Sequence, residues 1–337
     1  MRTARLDEIV RQKNPALKQA VEQLARGEVQ EAVANLSNQG RVHQILDREE
    51  RIAEIAREYV RQPKDTLVVS PDNQSRQEIN IGIHHAMQRA GHVKEEEFAI
   101  RILNSRQDMT GADRMWAQNY EPGNVVRFVK SSKVHGFDAG EYARVVGVDS
   151  AVNTVTIERR NGQQVNYDPR RQQGVTVFRE AERTFAEGDR LQLTAPFYPA
   201  KLANRELGTL EKIDGDGNLK LRMDDGREVD FNARQHPHLD HGYAVTSHSS
   251  QGQTTDRVLV HVDSEHIHKG LINERMAYVS VSRARHDVQI FTNDAEALGK
   301  ELGKDVSHSM ALQADIVKEP VHVSNRFSEA QCVGIGI

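Results

Sequence analysis

A polar segment near the carboxyl end of the chain, residues 242–254, carries residue types that contact phosphates. It reads Gly-Tyr-Ala-Val-Thr-Ser-His-Ser-Ser-Gln-Gly-Gln-Thr, so a short apolar run leads into hydroxyls, a histidine, amides and a glycine. Hydroxyl groups and backbone N–H groups can contact phosphate oxygens, and Gly252 lets the backbone approach a ligand closely. An ordinary polar loop before a helix has the same composition, and spacing alone favours neither interpretation.

A second segment, residues 277–285, reads Ala-Tyr-Val-Ser-Val-Ser-Arg-Ala-Arg and places two arginines between a predicted helix and a predicted strand. A guanidinium held between two such elements can act as a charge clamp on a phosphoryl group that is being transferred. The plainer interpretation is the exposed end of a helix, where cations also suit the helix dipole.

The elements that must position these segments follow an α/β pattern. Asn14 before Pro15, and the capping box of Asp47 and Glu50, predict two helix starts. Apolar runs predict strands at 66–70, 243–246, 257–262 and 288–292. Helices alternating with buried strands indicate a parallel sheet, and ligands of such sheets bind at the carboxyl edge. We therefore expect both polar segments at that edge.

The middle of the chain has a different pattern. From Gly123 to about Phe231, short alternating strands are separated by turn signals such as Asn161-Gly162 and Asp225-Gly226. Two similar series, which begin near Pro122 and Glu187, predict two small β-barrels in tandem. The predicted domains are residues 1–121 and 236–303 for a split parallel-sheet domain, 122–186 and 187–235 for the two barrels, and 304–337 for a loose tail.

Composition excludes several classes of protein. The 337 residues carry a net charge of −4, which does not suggest a strongly basic nucleic-acid binder, although a local groove can still be basic. No run approaches the roughly 18 apolar residues of a membrane span, and the charged start is not a signal peptide. With a single cysteine, Cys332, we expect no internal disulfide and a cytoplasmic location. Three groups among the 15 histidines could form metal clusters: His84 with His85, His236 with His238 and His241, and His266 with His268. No cysteine accompanies them and none has a zinc-finger spacing, so we interpret the histidines as ordinary loop and surface residues.

Two kinds of motif are absent from the sequence. It contains no G-x-x-x-x-G-K-[ST] loop to cradle phosphates, and no Asp-Glu pair at a strand end to hold magnesium. We therefore expect the phosphate loop on sequence that precedes Met1, and we expect the isolated chain to lack ATPase activity.

The polar segments resemble conserved motifs of superfamily 1 helicases. Residues 243–254 resemble motif V, and residues 278–285 resemble motif VI, with Ser282-Arg283-Ala284 at its centre. Residues 6–12, Leu-Asp-Glu-Ile-Val-Arg-Gln, resemble motif IV, and residues 66–80 resemble the strand and helix that follow it. The inserted strands, with Asn-Arg-Glu-Leu-Gly at 204–208, are similar to the RecD-like branch and to the helicase part of conjugative relaxases of the TraI type (MobF).

The resemblance implies a fold, ligands and partners. The fold is α/β: a RecA-like second motor domain of the P-loop NTPase class, with inserted SH3-like β-barrels. ATP and Mg²⁺ would bind only when a missing N-terminal helicase domain is also present. Single-stranded DNA would be the substrate, a conjugative coupling protein a further partner, and no membrane insertion is expected.

The implied catalytic residues, which reach the γ-phosphate, are Arg283 and Arg11. The implied nucleotide contacts are Gln12, Gln251, Gly252 and Arg285, and the implied DNA contacts are Thr246, His248, Ser249 and Ser250; no metal ligands are implied.

Two other functions stay open. A degenerate helicase domain could serve only to dock DNA or a protein, with the barrels as its working part. An independent α/β nucleotide enzyme with attached barrels is the other alternative.

Overall fold

The computed structural model describes residues 11–106, 108–132, 134–250, 253–267 and 269–304. Several predictions lie outside these residues: the first part of the motif IV segment, Gln251 and Gly252, His268, and the tail from residue 305.

Within the described ranges, six α-helices begin where the sequence supplies a capping side chain or a polar first turn. In chain order they are α1 Pro15–Ala25, α2 Val29–Asn38, α3 Arg48–Arg61, α4 Asn73–Arg89, α5 Glu274–Val281 and α6 Ala295–Leu302. Five of them have an Asn or Asp at the N-cap that accepts a hydrogen bond from a backbone N–H group of the first turn: Asn14, Asp47, Asp72, Asn273 and Asp294. Such caps satisfy donors that the helix itself leaves free.

Sixteen strands form three sheets within the described residues. In chain order they are β1 Val42–Gln44, β2 Thr66–Ser70, β3 Glu97–Ser105, β4 Val125–Phe128, β5 Tyr142–Asp149, β6 Thr154–Arg159, β7 Gln164–Tyr167, β8 Val175–Ala186, β9 Arg190–Leu193, β10 Leu207–Ile213, β11 Asn218–Met223, β12 Glu228–Asn232, β13 Leu239–His241, β14 Ala244–Thr246, β15 Thr255–Val262 and β16 Ala284–Thr292.

The parallel sheet draws its strands from both ends of the chain. Its order is β1-β16-β15-β2-β14, and every pairing is parallel. Apolar clusters cover both faces: α1, α2, α5 and α6 pack on one side, and α3 and α4 on the other. Burial on both faces explains why β2 and the end of β15 are continuous apolar runs. β2 precedes the inserted strands in the sequence and β14 follows them, and the two pair with each other as a split domain requires.

The middle of the chain forms two antiparallel sheets. The first has the order β3-β8-β4-β5-β6-β7, and the second has the order β12-β11-β10-β9-β13. In the part of the chain that the structure describes, the outermost strands of each sheet do not pair with each other. Closure into SH3-like barrels therefore stays a prediction.

Two segments lie outside the domains to which we assigned them. We placed residues 97–105 with the parallel sheet, but β3 pairs with β8 along nine residues. We also placed residues 239–241 there, but β13 pairs with β9. Both corrections have one cause, because an alternating or short apolar strand does not identify its partner until the long-range pairing is known.

No helix among the described residues is both long enough and apolar enough to cross a membrane.

Candidate nucleotide and DNA contact site

Arg11 and Arg283 meet at the start of β16, although they lie at opposite ends of the chain. The segment before α1 runs beside the segment that enters β16: the Lys13 backbone N–H donates to the Arg285 carbonyl at 2.7 Å. Arg11 Nη1 donates to the Ser282 carbonyl at 3.0 Å, and Arg283 Nη2 lies 3.3 Å from the Ser282 hydroxyl oxygen. The two guanidinium groups thus approach the same residue.

The electrostatics of this pair are unfavourable without a further ligand. Arg11 is exposed and Arg283 is half-buried, and neither forms an ion pair among the residues that the structure describes. Burial lowers the pKa of Arg283 from its usual value, and the positive charge of Arg11 lowers it further. Two neighbouring cations with no carboxylate between them form a site that an anion would stabilise. A polyphosphate fits this requirement, since it offers several negative oxygens at once.

The pair lies at the amino edge of the parallel sheet, which corrects our expectation of the carboxyl edge. Arg283 immediately precedes β16, and its carbonyl accepts from the first residue of β15, Thr255, at 3.1 Å. The rule for ligands at carboxyl edges concerns loops that follow strands, whereas these arginines enter a strand. The segment between β14 and β15 nevertheless reaches them, because Arg283 Nη1 lies 3.4 Å from the Gln253 carbonyl.

Gln12 and Arg285 lie beside the pair in different environments. Gln12 is 6% exposed, and its Nε2 donates to the carbonyls of Ser282 and Ala284 at 3.1 and 3.0 Å. In this arrangement its side chain holds the backbone on both sides of Arg283, and a direct contact with nucleotide stays a prediction. Arg285 is exposed and is paired with Asp256 at 3.3 Å.

The predicted DNA-contacting residues form a turn at the carboxyl end of β14. The Thr246 hydroxyl donates to Ser249 Oγ at 3.1 Å and accepts from the Ser249 backbone N–H at 3.3 Å. His248 is exposed, and its carbonyl accepts from Arg205 Nη1 at 3.1 Å, so the connection between β9 and β10 contacts this turn. Ser250 is fully buried and its hydroxyl donates to the Ser247 carbonyl at 2.7 Å, so its side chain stabilises the turn and does not face solvent.

Several histidines correct our interpretation of them as loop and surface residues. His84, His236, His238 and His241 are all buried. Burial lowers the pKa of both His236 and His238 to about 4, and the positive charge of Arg127 adds to the effect on each. The histidine count gave no sign of this, because histidine occurs in polar stretches whether or not the fold later covers them.

A second charged cluster, at the carboxyl edge of the sheet, was missed by sequence reasoning. Arg51 is completely buried and donates to Asp263 at 2.5 Å, and Arg48 donates to the same carboxylate at 2.9 Å. Helical spacing was the available signal, since Arg51 lies on the same face of α3 as the buried Ile55 and Tyr59.

Comparison with known proteins gives relatives among conjugation proteins. The family model of an AAA domain matches residues 1–47. The chain is 24% identical over 281 residues to the multifunctional conjugation protein TraI of Escherichia coli, which covers 80% of this chain and 15% of TraI. It is 36% identical over 89 residues to the conjugal transfer protein TraA of Rhizobium radiobacter, which covers 26% of this chain and 7% of TraA.

Solved structures of Pif1 helicases are also similar. One, of two coordinating Pif1 helicases that unwind forked double-stranded DNA, matches 91% of this chain and 53% of that chain, with 14% identity and a TM-score of 0.45. The chain thus spans about a seventh of TraI and about half of the Pif1 chain. The resemblance to proteins of the TraI type that the polar motifs indicated is confirmed by the sequence match along most of the chain.

Proposed function

We propose that this chain is the C-terminal motor portion of an ATP-dependent DNA helicase or translocase, of the kind found in a conjugative relaxase-helicase. The observation that carries the proposal is the pair of guanidinium groups of Arg11 and Arg283, which converge on Ser282 without a carboxylate partner among the described residues. The parallel sheet is then a RecA-like second motor domain, and the sequence similarity to TraI supports the conjugative assignment.

The arginines act on a nucleotide that another domain holds. ATP with Mg²⁺, bound on an N-terminal helicase domain, supplies the phosphoryl group that is transferred to water. Arg11 and Arg283 stabilise the negative charge that develops on the γ-phosphate, and they do so only when the two domains close on each other. Closure then depends on the nucleotide, and this dependence couples hydrolysis to domain motion.

The DNA side of the site is the turn that begins at Thr246. The exposed His248 and the hydroxyls of Thr246 and Ser249 line one side of the track for single-stranded DNA. The same segment ends at Gln253, whose carbonyl contacts Arg283. A displacement of Arg283 towards a phosphate therefore changes its contact with Gln253, which lies a few residues after the proposed DNA turn.

The test joins these residues to the phosphate-binding half of a superfamily 1 helicase. In that protein, Arg283→Ala should lower the ATPase turnover by roughly 10³-fold, which is the scale of a lost arginine finger. Affinity for single-stranded DNA, measured by fluorescence anisotropy, should stay within about twofold of the parent. Arg26→Ala is the matched control, because that exposed arginine has Glu28 as a partner, has no part in the proposed site and should cost much less activity.

Two results would reject the proposal. One is steady ATP hydrolysis by the isolated chain that Arg283→Ala abolishes, since the chain lacks a phosphate loop. The other is a loss of DNA binding in Arg283→Ala with hydrolysis intact, which would move this arginine from the nucleotide to the DNA track.

A further inference from the structure

A buried cluster of possible metal ligands lies where the parallel-sheet domain meets both antiparallel sheets. His84 lies on α4, Asp189 immediately precedes β9, and His241 ends β13. Their exposed fractions are 2%, 0% and 3%. Each residue offers one ligand atom, and the three atoms lie within 4.8 Å of one another. The cluster is remote in sequence from the arginine pair and has no role in the proposed hydrolysis.

The cluster contains a buried nitrogen that forms no hydrogen bond among the described residues. His241 Nε2 is buried and forms no hydrogen bond with any described residue, while Asp189 Oδ2 lies 3.5 Å away. The Asp189 carboxylate itself is held in place, since Oδ1 accepts from the Tyr243 hydroxyl at 2.6 Å and Oδ2 accepts from the Ala186 backbone N–H at 2.7 Å. An unsatisfied buried nitrogen beside a fixed carboxylate requires an explanation, and a bound ion is one of the few available.

Glu97 completes the arrangement from outside the cluster. Its Oε1 lies 2.9 Å from His84 Nε2 and also accepts from Gln88 at 2.9 Å, so it fixes the orientation of the imidazole ring. With a proton on Nε2, the lone pair of His84 Nδ1 faces Asp189 Oδ1 at 2.7 Å. Two lone pairs at that distance repel each other unless a cation lies between them. That cation is either a second proton on His84 or a metal ion.

We propose that His84, Asp189 and His241 bind one divalent transition-metal ion of the Zn²⁺ class in a structural site. Two imidazoles and a carboxylate form a donor set that suits zinc and its neighbours better than magnesium or calcium. A carboxylate that accepts from the outer nitrogen of a ligating histidine is the usual second shell of such sites, and Glu97 occupies that position. The two carboxylates, Asp189 and Glu97, balance the charge of the ion.

The geometry requires one small adjustment and leaves a place for a fourth ligand. Neighbouring ligand atoms on a tetrahedral zinc lie a little over 3 Å apart, so the contact between His84 Nδ1 and Asp189 Oδ1 would open by about half an ångström. The Tyr243 hydroxyl donates to Asp189 Oδ1, so it stays protonated and can orient a water molecule as the fourth ligand. The ion would fasten α4 to β9 and β13, and so would fix the inserted sheets on the motor domain.

The experiment uses the full chain without a histidine tag, because a tag would bind metal itself. After treatment with a chelator, the protein is titrated with Co²⁺ and with Zn²⁺, and bound metal is measured by inductively coupled plasma mass spectrometry. We expect one equivalent of bound zinc per chain and, with cobalt, a visible absorption band typical of tetrahedral Co²⁺. The Tm should rise by about 3 °C or more at saturation with zinc. His241→Ala should lose all three effects, and the exposed His286→Ala should keep them.

Three outcomes would overturn the proposal. Less than about a tenth of an equivalent of bound metal, with no change in Tm, would leave a doubly protonated His84 as the cation. Equal binding by wild type and a folded His241→Ala variant would place the metal elsewhere. If His241→Ala does not fold, the wild-type stoichiometry and cobalt spectrum decide, and an octahedral spectrum with rapid loss of the ion would also count against the site.

Discussion

Removal of the Gln12 side chain tests whether the segment before α1 holds the arginine site together. Gln12 is buried, and its amide nitrogen donates to the carbonyls on both sides of Arg283, at 3.1 and 3.0 Å. Gln12→Ala removes both hydrogen bonds. Each is worth about 1 kcal/mol, and a carbonyl left buried without a partner costs more. The Ser282 carbonyl still accepts from Arg11, so the total loss should be about 2–3 kcal/mol of unfolding free energy.

The assay is urea unfolding of the isolated chain, compared with hydrogen exchange of the backbone at residues 282–286. Gln12→Met keeps most of the side-chain volume without the hydrogen bonds, and it separates polar from packing contributions. Lys13→Ala is the matched control, since that side chain is exposed and only its backbone bonds to Arg285.

We expect Gln12→Ala and Gln12→Met to lose similar stability and to exchange faster around Arg283, with Lys13→Ala unchanged. A loss below about 0.5 kcal/mol for Gln12→Ala, with exchange as in wild type, would refute the inference that Gln12 positions Arg283. Recovery of stability by Gln12→Met would assign the effect to packing.

Two further predictions concern buried ionisable groups. Arg51→Met should lower the free energy of unfolding by about 3 kcal/mol, because it leaves Asp263 buried with Arg48 as its remaining cation. A loss of less than about 1 kcal/mol by calorimetry would contradict this. Burial holds the pKa of His238 at about 4, below the value of about 6.5 in the unfolded chain. Below about pH 6.5 the unfolded state therefore binds a proton that the folded state does not, and the folded state loses stability until the pH reaches about 4. The stability difference between wild type and His238→Asn should therefore change by about 2 kcal/mol between pH 7.5 and pH 5, and parallel urea curves at the two pH values would contradict it.

Local signals predicted much of the parallel-sheet domain. Asn14 and Asp47 cap α1 and α3 as the sequence indicated, and residues 66–70 form β2. Capping and a buried apolar run are decided within a few residues, so a single sequence is enough to identify them. The strand β1 was not predicted, since its three residues, Val-His-Gln, have no strand pattern and lie in the sheet because they pair with β16.

In the candidate site, local sequence signals predict which segments are involved but not how each side chain is oriented. The sequence indicated which segments carry phosphate-binding residue types, and Arg11 and Arg283 do lie together. The direction of each side chain depends on packing between distant segments, so the buried Gln12 and Ser250 could not be separated from their exposed neighbours in advance. The same limit applies to Asp189, whose histidine partners come from α4 and β13.

The inserted sheets and the parallel-sheet domain are joined by contacts that a flexible tether would not have. His84 of α4 reaches Asp189 at the start of the second sheet at 2.7 Å, and Arg76 of the same helix reaches Asp240 of β13 at 2.9 Å in a buried ion pair. On the other side, Arg205 of the insert holds the His248 carbonyl in the predicted DNA turn. A movement of α4 must therefore displace the inserted sheets or break buried polar contacts, and breaking a buried pair costs several kcal/mol. The contact between Arg205 and the turn is exposed and contributes less. In the domain closure that we propose, the inserts should accordingly move with the parallel-sheet domain, so that a partner bound to them would be displaced with it.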